Sequence, residues 1–168
     1  MTKPAFLEQY GGQSLEELIA MEATHRIDSL VLAIESALDR KVADRGAASL
    51  SPAERAVLAV EALEREVNNG GYDQFFLNSS RAYAGDIERA LRAIGCPGQA
   101  DIARRAVAAL AIQGAVTAEA VEASHSAGGD DLFDALSSLD DEYYACDEPI
   151  ADRLFAFVKA NQAAIRLG

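Results

Sequence analysis

Apolar residues along this chain recur in steps of three and four, the spacing that lines one face of an α-helix. The first such run is Leu15, Leu18, Ile19, Ile27, Leu30, Val31, Ile34 and Leu38. Ser14, with Glu17 three residues on, has the form of a capping box. The run therefore predicts one long helix that carries His25 within it and fades near Asp44–Gly46. A second start is Ser51-Pro52-Ala53-Glu54, where Ser51 and Glu54 can cap each other's backbone and Pro52 fits the first turn. Val57, Val60, Leu63 and Val67 then share a face until Asn69-Gly70-Gly71, where the helix should stop. A short segment follows with Tyr72, Phe75 and Phe76, and Asn78-Ser79-Ser80 ends it.

Residues 86–94 repeat the amphipathic pattern through Ile87, Ala90, Leu91 and Ile94, and residues 95–98 form a turn. An Ala-rich helix is expected over Ala100–Ile112, and a shorter one from a Thr117 cap through Ala123. Residues 125–131 read as a loop, and two last helices cover 130–144 and 150–165, with Tyr143 and Tyr144 anchoring them in the core. Alternating β-branched runs are absent. The prediction is an all-α chain, a single domain over residues 1–168, built as a bundle of about seven or eight helices.

Composition adds limits. A chain of 168 residues is long enough to bury a core without staples. No apolar stretch approaches the length that crosses a bilayer, and the N-terminus lacks the apolar centre of a signal peptide, so no membrane partner and a cytoplasmic location are expected. Cys96 and Cys146 form no CxxC pair, and free thiols suit that compartment. There is no EF-hand spacing, phosphate-binding glycine loop or GxSxG. A metal site from His125 with Asp130 and Asp131 fits no ligand pattern, so neither a metal nor another cofactor is expected, and the chain reads as non-catalytic.

The densest chemistry lies in "EVNNGGYDQFF", residues 66–76. One reading is structural. Gly70 and Gly71 turn the chain at a helix end, Asn68 and Asn69 bond to backbone, Glu66 bonds to backbone N–H groups of the next segment, and the aromatics fill the core. The other reading is a ligand pocket lined by Glu66, Asn68, Asn69, Asp73 and Gln74, which would make this a small-ligand-binding or enzymatic domain. Glu66, Asn69-Gly70-Gly71, Gln74-Phe75-Phe76, Asn78-Ser79, Ala90-Leu91 and Ile94-Gly95, together with the preceding "LSPAERAVLAVEALE", resemble the signature of the DMP-type DNA-mimic protein family of small bacterial helical proteins. The likeness is strongest over residues 50–112. It implies an all-helical domain able to form a homodimer. It also implies that a relative uses acidic surface to imitate DNA and occupy a transcription factor. In that reading the motif residues Glu66, Asn68, Asn69, Gly70, Gly71, Gln74, Phe75, Phe76 and Asn78 mark the shared fold.

Charge bears on that implication. The net charge is −12, and no Lys or Arg occurs in the 46 residues from Val107 to Asp152. That stretch holds eleven of the 27 acidic residues, leaving 16 acids against 15 bases elsewhere. It repels phosphates, so direct nucleic-acid binding is not expected of it and a basic DNA-binding protein is the complementary partner. With Asp130 at 0° on a helix, Asp141 falls at about 20°, Asp134 at about 40°, Asp131 at about 100° and Glu142 at about 120°. Leu132, Leu136, Leu139 and Tyr143 fall at about 180–240°, and Asp140 sits to one side of the acidic arc. The row from Asp130 to Asp141 is about 17 Å long, about five phosphate steps of a DNA strand. Glu119, Glu122, Asp147 and Glu148 extend the candidate partner-binding set within residues 119–152.

Overall fold

Both predicted capping boxes form. Ser14 Oγ accepts from Glu17 N at 3.2 Å while Ser14 N donates to Glu17 at 2.7 Å, and Ser51 with Glu54 repeats the exchange at 3.1 and 2.8 Å. The computed structural model describes residues 3–168. Among the described residues there are eight α-helices, short 3-10 turns, no β-strand, and one isolated bridge between Ala5 and His25. The helices are α1 (Leu15–Ala20), α2 (Ile27–Arg45), α3 (Pro52–Leu77), α4 (Ile87–Ala93), α5 (Pro97–Ala109), α6 (Ala118–Ala127), α7 (Gly129–Ala145) and α8 (Ile150–Ala160). No helix among the described residues is long and apolar enough to cross a membrane. The chain divides into two units, one of residues up to Glu61 together with Pro149–Gly168, the other of Ala62–Glu148.

In the first unit, the expected long helix is broken into α1 and α2, and His25 lies in the break rather than inside a helix. Thr24 and His25 are mediocre helix formers, and the Thr24 hydroxyl bonds back to Met21 O at 3.2 Å. The freed backbone groups are taken up by Ala5, which donates to Thr24 O at 2.9 Å and accepts from Arg26 N at 2.8 Å. Leu18, Leu30, Ile34, Leu38, Val57, Leu154 and Val158 are fully buried here. Beside them lies a buried ion pair. Lys41 Nζ donates to both Glu54 carboxylate oxygens at 2.8 Å, and Glu54 also accepts from Arg166 N at 2.6 Å. Burial pushes the Glu54 carboxyl up, but Lys41 and the backbone donors outweigh it and hold the group below its ordinary range. The last helix stops at Ala160, five residues before the expected end, and a 3-10 turn (Gln162–Ala164) leads to buried Ile165.

In the second unit, α5 packs against α4 and α7. It begins at Pro97, three residues before the expected start. Ala100, Ala103 and Ala106 are buried on it together with Gln99 and Ile102, and the small alanine side chains let neighbouring helices approach closely. Gly98 N and Gln99 N, at its first turn, donate to the Glu148 carboxylate at 2.9 and 2.8 Å. A carboxylate there satisfies orphan donors and meets the positive end of the helix. Thr117 caps α6 as expected, accepting from Ala120 N at 3.2 Å. The helix continues to Ala127, so His125 is helical and the break narrows to Gly128 alone.

Candidate protein-binding face

The stretch "EVNNGGYDQFF", residues 66–76, contains a kink inside α3. Gly71 has φ 76°, a conformation that favours glycine, and the helix resumes at Tyr72. Resumption leaves Tyr72 N without an intrahelical partner. Asp140, from α7, accepts from it at 2.7 Å. The carboxylate comes so close that a Cβ at Gly71 would lie 2.1 Å from Asp140 Oδ2. The glycine thus serves two needs, the backbone conformation and the space for a cap supplied by another helix. Burial pushes the Asp140 carboxyl above its ordinary range, and Tyr72 N–H opposes that shift.

Glu66 takes side-chain rather than backbone donors, a correction to the sequence reading. Its Oε2 accepts from Gln74 Nε2 at 3.0 Å and from Asn78 Nδ2 at 2.8 Å, so three polar motif positions close one half-buried network across the kink. Asn68 Nδ2 donates to Glu64 O at 2.7 Å, while Asn69 and Gly70 lie exposed. Tyr72, Phe75 and Phe76 are fully buried, with Phe75 and Phe76 edge to face at 5.4 Å. The corner is filled by its own aromatics. Asp73, the remaining member of the pocket set, faces His125 Nε2 at 2.8 Å. Among the described residues no group of three His, Cys, Asp or Glu is gathered to hold a metal ion.

The acidic residues divide by neighbourhood. Asp130, Asp131, Asp134 and Asp141 are exposed on α7 and form no ion pair among the described residues. Leu132, Leu136, Leu139 and Tyr143 are the buried face of that helix, opposite them. Glu119 and Asp147 are exposed as well. The other four are engaged within the unit. Glu122 pairs with Arg81 at 3.1 Å. Asp140 caps the kink. Glu142 is held by the Arg105 guanidinium, with Arg105 Nη1 at 2.9 Å, and Arg105 keeps its carboxyl below the ordinary range. Glu148 caps α5. The contiguous exposed row is therefore Asp130, Asp134 and Asp141, with Asp131 beside it.

Three structural features escaped the sequence reading. The capping role of Asp140 was half visible in its angle, about 280°, which places it toward the buried side of α7. Glu64 stands four residues after Val60 and three before Val67, on the buried stripe of α3, and desolvation pushes its carboxyl up to about 7. Tyr144 is 56% exposed, against the expectation that it lies in the core. Its hydroxyl nevertheless donates to Val67 O, which pins the ring at the surface.

Comparison with known proteins adds one match. The model of a family described as DMP19-like protein matches residues 48–161. No curated protein and no solved structure matches the chain.

Proposed function

Because the chain belongs to the DMP19-like protein family, we propose that it is a non-catalytic acidic protein that binds a basic, DNA-binding protein such as a transcription factor and competes with DNA for it. The single observation that carries this reading is the α7 row. Asp130, Asp134 and Asp141 lie on one exposed face of a helix, without internal counter-charge, in a stretch that holds no Lys or Arg. Side chains spaced to grip successive phosphates would meet carboxylates there instead. The motif around Glu66 has a different task, to hold the kink and seat α7 on it through Asp140. We take the whole chain to act as one such domain, working in the cytoplasm.

The test is capture from a bacterial lysate at low salt, elution along a salt gradient, and displacement by duplex DNA. A DNA-binding protein that elutes sharply and yields to duplex supports the reading. The variant Asp130→Asn/Asp134→Asn/Asp141→Asn should keep the far-ultraviolet dichroism of the parent and release that protein at distinctly lower salt, each lost charge removing on the order of 1 kcal/mol or less. Elution at an unchanged salt concentration would remove the assigned face.

A further inference from the structure

The same helix exposes two large aromatic side chains. Phe133 and Tyr144 are each 56% exposed. On the helical wheel they fall at about 300° and 320°, next to the acidic row at about 0–40°. They stand about 16 Å apart along the axis, one toward each end of that row. Tyr144 is not a loose ring. Its hydroxyl bonds to Val67 O, and its ring meets Tyr143 edge to face at 5.7 Å. A held aromatic ring offers contact area with little entropy left to lose on binding. A surface that matched phosphates by charge alone would need neither ring.

We infer that this face of α7 is a mixed acidic and aromatic docking surface whose occupant is a basic protein segment that carries an apolar side chain among its Lys and Arg residues. The inference rests on the proposed function for its sign of charge and adds an apolar contact to it. Charge complementarity selects the occupant. A second copy of the chain would set Asp130, Asp134 and Asp141 against their own kind, and nucleic acid would be repelled by the same row. A basic segment gains on both counts. Its cations meet the carboxylates, its Arg side chains can stack on exposed rings, and its apolar residue covers Phe133. Binding then has two separable parts, one that falls with salt and one that persists.

Two synthetic helical peptides of 16 residues test this. Both carry Arg along one stripe; one has Leu and the other Ala at the positions that flank the stripe. Affinity is read by fluorescence anisotropy at about 50 and about 300 mM salt. The chain is expected to prefer the Leu peptide by about fivefold or more at both salt concentrations. Phe133→Ala should bring that preference close to one while leaving the salt slope unchanged, and Phe133→Leu should restore most of it. The Asp130→Asn/Asp134→Asn/Asp141→Asn variant should flatten the slope and keep the preference. A preference that survives Phe133→Ala, or is absent from the parent chain, overturns the aromatic contact. A slope that survives the triple substitution overturns the electrostatic reading instead, so the two failures are told apart.

Discussion

A methyl group at position 71 would lie 2.1 Å from an Asp140 oxygen, on a residue whose φ is 76°. Gly71→Ala is therefore expected to destabilise the chain by on the order of 2–4 kcal/mol, through backbone strain and through displacement of the cap on Tyr72 N–H. Denaturant midpoints read this directly. Because both effects meet at one carboxylate, Asp140→Ala should cost less in the Gly71→Ala background than alone, and strictly additive losses would contradict the shared contact. Glu64 makes the second prediction at this scale. Its carboxyl is raised to about 7 by burial, so the folded state holds a proton that the unfolded chain releases near 4.5. The stability this provides is complete below about pH 4.5 and is lost as pH rises through about 7. Glu64→Gln should match the parent near pH 4 and exceed it by about 2–3 kcal/mol near pH 8.5. A pH-independent difference would refute the assignment.

Helix α6 is the least anchored of the longer helices in its unit. Val121 is its only buried residue, supported by Glu122 on Arg81 and His125 on Asp73. Helix α5, by contrast, buries five residues. Amide exchange in α6 should accordingly run faster than in α5, and Val121→Ala, which removes about 1.5 kcal/mol of apolar burial, should speed it by about tenfold while α5 stays unchanged. Equal protection in the two helices would show that α6 is held by more than these contacts. Elements were also where the sequence spoke most clearly. Ser14, Ser51 and Thr117 carry caps whose partners lie three residues away, and local chemistry of that kind is readable without a fold. The break between α1 and α2 was not readable, because the groups that stabilise it belong to Ala5, far from Thr24 along the chain. The extension of α6 past Ala123 was hidden for a like reason, since His125 is fixed by Asp73 at a separation of 52 residues.

Across the whole molecule, the excess of negative charge was plain in the sequence but its disposition was not. Arg105 lies just outside the base-free stretch and reaches Glu142, 37 residues on, while Glu148 caps a helix start 50 residues before it. Such pairings reduce the free acidic row to fewer carboxylates than the count suggests. The remaining acids still repel one another. Raising salt from about 0.01 to about 0.5 M should therefore raise the denaturation midpoint, by on the order of 1 kcal/mol in stability, and a fall would mean that attractive pairs dominate. The link between Tyr72 and Asp140 has a consequence for synthesis as well. The cap for Tyr72 N–H is 68 residues downstream. At about 5–20 residues per second, a ribosome delivers it about 3–14 s after Tyr72 itself. Over that interval Tyr72 N–H lacks its carboxylate acceptor, and Tyr72, Phe75 and Phe76 await the helix that seals them. The nascent chain thus offers a chaperone an aromatic segment with a defined lifetime, closed when the codon for Asp140 has been read and its residue has left the exit tunnel.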